Sequence, residues 1–122
     1  MPKVKNLATG RFLEVDYSLK VHTRAPNEGT LMDAHNQVWH IEPRSDGFYA
    51  IINNSTGKAL ESDHGGKIHV KDKHQNDHSQ DWKFEGLLIA NRKTGKVLDS
   101  NQKGEVYSSQ LNGCDYQHWH QA

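Results

Sequence analysis

The stretch Asn91-Arg92-Lys93-Thr94-Gly95-Lys96-Val97-Leu98-Asp99 has two counterparts in the same chain, Asn6-Leu7-Ala8-Thr9-Gly10-Arg11-Phe12-Leu13-Glu14 and Asn53-Asn54-Ser55-Thr56-Gly57-Lys58-Ala59-Leu60-Glu61. The shared pattern is Asn-x-x-Thr-Gly, a basic residue, any residue, Leu, then an acid. A Gln-x-Trp triplet follows each copy: Gln37-Val38-Trp39, Gln80-Asp81-Trp82 and Gln117-His118-Trp119. The Asn-to-Asn spacings are 47 and 38 residues, the Trp-to-Trp spacings are 43 and 37, and all three tryptophans of the chain fall in this motif. Self-similarity at such a period marks a repeat architecture, in which no unit buries its apolar face alone.

Each repeat reads as strands. Val4, Ile51-Ile52 and Leu88-Ile89 precede the Asn-x-x-Thr-Gly segment, which supplies turn chemistry because Asn tolerates unusual backbone angles and Gly adopts positive φ freely. The basic-x-Leu-acid run then alternates at period two, as do Leu19-Lys20-Val21-His22, Ile68-His69-Val70-Lys71 and Val106-Tyr107-Ser108-Ser109. Segments such as Trp39-His40-Ile41 and Trp82-Lys83-Phe84 supply a fourth strand, and no apolar stripe with helical spacing runs three turns. About four strands in each of three repeats predict an all-β, pseudo-threefold domain. The expected repeats span roughly 3–43, 48–86 and 87–122 of a single domain, 1–122. A propeller needs at least four larger blades, so a closed threefold unit is the expectation.

Composition narrows the function. The chain has 122 residues, with fifteen Lys and Arg balancing fifteen Asp and Glu, which leaves no net basic field for a nucleic-acid partner. No stretch approaches the ~18 apolar residues that cross a bilayer. The start, Met-Pro-Lys-Val-Lys, has no apolar leader core, so the expected location is cytoplasmic or outside the cell by a route that uses no signal peptide. The single Cys114 excludes an internal disulfide and a Cys-rich zinc site. It leaves open a free thiol or a bridge in a homodimer. The nine histidines show no metal-ligand spacing, and neither a nucleophile elbow nor a phosphate loop occurs. No metal, no cofactor and no catalysis are therefore expected.

The triple acid motif with Gln-x-Trp resembles the ricin B-type β-trefoil lectins, of the family-13 type of carbohydrate-binding module. The Cys-poor form is similar to small cytoplasmic lectins of fungi. The resemblance implies a six-stranded barrel capped by three hairpins, with up to one shallow sugar pocket per repeat and multivalent binding of galactose or N-acetylgalactosamine termini. It places the sugar carboxylate on the acid after Leu: Glu14, Glu61 and Asp99, with Asp16 and Asp63 nearby. It places the ring-stacking position on His22, Lys71 and Ser109, none of them a large aromatic, with Tyr107 as a substitute in the third repeat. Asn36 supplies an amide before Gln-x-Trp, where Ser79 and Tyr116 stand in the other repeats. Gln37, Gln80 and Gln117 complete the candidate set, with a structural role beside the buried tryptophans as their simpler reading. The acids have a simpler reading too, as solvated strand residues. The alternative function is a protein-binding scaffold, such as a protease inhibitor, acting through the long segment 24–35 with Leu31 and Met32.

Overall fold

The computed structural model describes residues 2–25 and 34–122. Twelve strands follow in order: β1 (Val4–Asn6), β2 (Phe12–Val15), β3 (Val21–Arg24), β4 (Trp39–Pro43), β5 (Tyr49–Asn53), β6 (Ala59–Ser62), β7 (Ile68–Lys71), β8 (Trp82–Glu85), β9 (Leu88–Asn91), β10 (Val97–Ser100), β11 (Val106–Ser109) and β12 (Trp119–Gln121). Every pairing between them is antiparallel. The fold is the β-trefoil expected from the threefold repeat.

The recurring residues explain why the chain closes. Each Trp sits opposite the Asn of a neighbouring motif: Trp39 opposite Asn53, Trp82 opposite Asn91, and Trp119 opposite Asn6. The Asn amide Nδ2 donates 2.9–3.0 Å across to the carbonyl of the residue before Gln-x-Trp, at Asn36, Ser79 and Tyr116. Its Oδ1 accepts from the backbone N–H of Thr56, Thr94 and Thr9, which holds the turn that Gly57, Gly95 and Gly10 complete at φ near +70°. Each indole Nε1 donates to the carbonyl of the motif Leu, at Leu13, Leu60 and Leu98, over 2.9–3.0 Å. One side chain therefore fills the core and ties a barrel strand to a cap hairpin. Val4, Leu13, Trp39, Ile51, Leu60, Trp82, Ile89 and Leu98 form the buried centre.

The barrel is β1, β4, β5, β8, β9 and β12, with the chain's last strand paired to its first. The hairpins β2–β3, β6–β7 and β10–β11 cap it. Their turns share a device: the carboxylate or amide oxygen of Asp16, Asp63 and Asn101 accepts from the backbone N–H of Lys20, Lys67 and Glu105 at 2.9–3.1 Å. At Asp63 the Lys67 backbone bond holds the carboxyl below its usual range. At Asp16 burial pulls the other way, but the Lys20 and Ser18 bonds outweigh it and the net shift is also down. Both groups therefore add stability that is complete above the ordinary Asp pKa near 4 and is lost as pH falls through the lower folded values. In the third turn the acceptor is the Asn101 amide, which takes up no proton. Acidification below about pH 4 should raise amide exchange in the first two hairpin turns before the third. Uniform protection across the three turns at pH 3 would contradict this.

The hairpins meet at the pseudo-threefold axis through backbone contacts. Ser108 N–H donates to Gly66 O at 2.9 Å, and Thr23 N–H donates to Gly104 O at 2.8 Å. The third junction would join Val70 to Leu19, and no such bond exists among the described residues. Leu19 is left-handed at φ +66°, where Gly66 and Gly104 stand in the other repeats. This corrects the expected strand Leu19-Lys20-Val21-His22: β3 begins only at Val21, because Leu19 belongs to the turn. Leu19→Gly should remove a left-handed side chain and stabilise the protein by about 1 kcal/mol, raising Tm by about 3–5 °C in a calorimetric scan.

Candidate functional site

The sites lie on the cap hairpins, and strand register decides their composition. Glu14 pairs with His22, Glu61 with His69, and Asp99 with Tyr107. Two residues further on, Arg24, Lys71 and Ser109 form the next equivalent set. The expected stacking set of His22, Lys71 and Ser109 is therefore out of register in its first member. His22 corresponds to His69 and Tyr107, and Arg24 corresponds to Lys71 and Ser109. Tyr107 is thus the regular third-repeat equivalent rather than a displaced substitute.

The acids are not solvated. Glu14 is fully buried, and Glu61 and Asp99 are 8% and 5% exposed. Each is held from behind by its repeat's glutamine, whose Nε2 lies 3.1 Å from Glu14 Oε1, 3.4 Å from Glu61 Oε1 and 3.1 Å from Asp99 Oδ2. The same amides donate to the carbonyls of Ala25, Asp72 and Gln110 at 2.8–2.9 Å. Gln80 and Gln117 accept in return from His74 N–H and Asn112 N–H. All three glutamines have zero exposure, so they orient the acids and the neighbouring loop from inside.

The outer side differs between repeats. His22 Nε2 lies 2.5 Å from Glu14 Oε2, and His69 Nε2 lies 2.6 Å from Glu61 Oε2. Arg24 Nη1 and Lys71 Nζ each stand 3.8 Å from the same oxygens. In the third repeat Tyr107 turns away, and its hydroxyl donates 3.1 Å to Ser100 O. Burial, then the Asp99 and Glu105 charges, push the Tyr107 hydroxyl pKa up, so it keeps its proton at neutral pH. Asp99 Oδ2 instead accepts from Ser109 Oγ at 2.5 Å, and Oδ1 from Ser100 N–H at 2.8 Å. Asp99 lines an open cleft of about 420 Å³ with Asn101, Tyr107, Asn112, Cys114 and Tyr116 among its walls. This cleft combines a fixed carboxylate, an amide and two phenol rings, the parts that recognise vicinal hydroxyls and the apolar face of a sugar ring.

The structure brings Asp99, Tyr107 and Tyr116 together at this cleft and keeps Gln117 behind them. Asp16 serves its own hairpin turn, and with Asn36 it lines a smaller cleft of about 150 Å³ beside Tyr17, which is 93% exposed. In the second repeat Ser79 Oγ, at the position of Asn36, lies 3.2 Å from Glu61 and 2.5 Å from Asp77. The Ser79 hydroxyl holds the Asp77 carboxyl below its usual range. Sequence reasoning missed His69, Asn112 and Cys114 as neighbours of the sites. His69 was recoverable, because the motif acid and its cross-strand partner are eight residues apart in every repeat. Most of the proposed protein-binding segment, including Leu31 and Met32, lies outside the described residues. No helix is long and apolar enough to cross a membrane, and no group of three or more potential metal ligands occurs, in both cases among the described residues.

With fold and cleft in place, comparison with known proteins gives the class. The model of the ricin-type β-trefoil lectin domain matches residues 3–119, and the chain belongs to that family. No curated protein sequence gives a significant match. Among solved structures, the designed threefold-symmetric protein ThreeFoil superimposes with a TM-score of 0.85 at 21% identity, over 98% of this chain and 96% of that one. The C-half of the earthworm R-type lectin, in complex with GalNAc, gives 0.78 at 20% identity over 98% and 95%. A GlcNAcα1-4Gal-releasing endo-β-galactosidase from Clostridium perfringens gives 0.84 at 23% identity, over 98% of this chain but 32% of the enzyme.

Proposed function

We propose that this protein is a glycan-binding lectin that engages galactose- or N-acetylgalactosamine-type termini through the third-repeat cleft and performs no catalysis. The observation that carries this reading is Asp99, fixed by Gln117, Ser109 and Ser100, in the wall of a cleft that also holds Tyr107, Asn112 and Tyr116. The sugar preference draws support from the earthworm lectin, whose structure holds GalNAc. Up to three sites were expected; the reading here gives one per chain.

A glycan array tests it. The wild-type protein should give signal on galactose-type termini. Asp99→Ala should weaken it by about 10–100-fold in affinity, because the acceptor of a sugar hydroxyl and the anchor of Ser109 and Gln117 is removed. Glu14→Ala should keep it. A melting curve alongside separates lost contact from lost fold. A blank array with folded protein would overturn the proposal.

Cys114 offers an independent check. Its thiol is exposed and lines the cleft. Alkylation with a bulky maleimide should abolish sugar binding, and saturating free galactose should slow that alkylation several-fold. Equal labelling rates with and without sugar would place the ligand elsewhere.

A further inference from the structure

We propose that His22 and His69 are locks that close the carboxylates of the first two repeats to sugar, so that the chain carries one working site although it has three acids in equivalent positions. This inference rests on the lectin reading above and adds to it which residues determine site number.

The three acids are alike from behind and unlike in front. Gln37, Gln80 and Gln117 hold them in the same way. On the oxygen that the glutamine does not hold, Oε2, the imidazole Nε2 of His22 and His69 stands at 2.5 and 2.6 Å. At these distances the imidazole–carboxyl bonds belong to the short, strong class. The side chains of His22 and His69 are only 23% and 31% exposed, so each ring is itself seated. A sugar hydroxyl would have to displace the imidazole and take its place on a buried carboxyl group. At the next outward position a cationic head, Arg24 or Lys71, stands 3.8 Å away where a ring-stacking aromatic would be needed. In the third repeat the residue opposite the acid is Tyr107, which bonds to Ser100 O; Asp99 accepts from the small Ser109 hydroxyl where the other repeats have an imidazole, and it lines the cleft.

The second repeat retains the backbone frame of the third. Ser62 follows Glu61 as Ser100 follows Asp99, and Ser62 pairs with Ile68 as Ser100 pairs with Val106. A tyrosine at position 69 therefore has the same backbone carbonyl available as Tyr107. The triple substitution Glu61→Asp, His69→Tyr and Lys71→Ser reproduces the third-repeat acid, its cross-strand partner and the Ser109 position, and His69→Ala with Lys71→Ser removes the lock if the triple variant fails to fold.

The test is amide NMR titration of wild type and variants with methyl galactoside and with N-acetylgalactosamine. In wild type, shifts should be confined to the third repeat, at Ser100, Asn112 and Tyr116. In the unlocked variant, His74, Ser79 and Gln80 should respond as well, and calorimetric stoichiometry should rise from one sugar per chain to two. Second-repeat shifts already present in wild type, or a folded variant with one sugar per chain, would overturn the lock while the lectin reading stands. Absence of shifts in every repeat of wild type would overturn the lectin reading itself.

Discussion

Trp82→Ala is expected to lower stability by about 4–6 kcal/mol, enough to unfold much of the protein at moderate temperature. Truncation of a buried aromatic to alanine typically costs about 3–5 kcal/mol through lost transfer energy and the cavity left behind. Trp82 has zero exposure and sits in the same core as Ile51, Leu60 and Ile89, so little collapse is available to fill the space. A second effect adds to the first: the indole Nε1 donates 2.9 Å to Leu60 O inside the protein, and that carbonyl would be left without this donor, at about 1 kcal/mol or more. Domain stabilities are about 5–15 kcal/mol in total, so this one change consumes a large share. Urea denaturation followed by tryptophan fluorescence of the two remaining indoles measures it. Trp82→Phe should cost less, about 2 kcal/mol, because the ring is retained and only the donor and part of the volume are lost. A loss below 2 kcal/mol for the alanine variant would mean that Trp82 is not the pin joining barrel to cap.

The pins were legible in the sequence because their partners are all members of the repeated motif. Trp, Asn, Thr-Gly and Leu recur together, and the structure shows each contacting another member: indole to Leu carbonyl, Asn amide across to the neighbouring Gln-x-Trp, Asn oxygen to the Thr amide. The site was less legible because it depends on pairing register. In a strand a two-residue slip leaves every side chain on its proper face but gives it the wrong partner. Starting β3 at Leu19 rather than Val21 put His22 among the stacking positions and hid its pairing with Glu14. The cause was a left-handed Leu19 in a turn whose other two copies have glycine. The glutamines carry no sign in the sequence of facing inward or outward. Only their bonds to the carbonyls of Ala25, Asp72 and Gln110, supplied by chain segments outside the motif, settle that they face in. The openness of the third repeat depends likewise on where the Tyr107 hydroxyl finds an acceptor, a choice made by the fold of the hairpin.

Gly66→Ala is the second large effect, and it separates local backbone strain from assembly of the cap. Gly66 has φ +86°, and an added Cβ would lie 2.6 Å from Ser108 O, a backbone atom on another repeat. The left-handed conformation alone costs a non-glycine residue about 1–2 kcal/mol. Relief of the overlap requires the β6–β7 and β10–β11 hairpins to part, which adds about 1–3 kcal/mol of packing loss and removes the Ser108 N–H bond to Gly66 O. The sum is about 2–5 kcal/mol. Gly57→Ala is the control: at φ +69° it carries similar strain, but a Cβ there meets nothing within 4 Å. The difference between the two variants in urea midpoint therefore measures the junction itself. Leu19 shows what the same substitution has already done in the first repeat, where the side chain is present and the cross-repeat bond is missing. If Gly66→Ala and Gly57→Ala lose the same stability, hairpin contacts at the axis contribute nothing, and the open first-repeat junction is without energetic consequence. If Gly66→Ala loses about 2 kcal/mol more, the cap is held by two closed junctions, and Leu19→Gly becomes the route to a third.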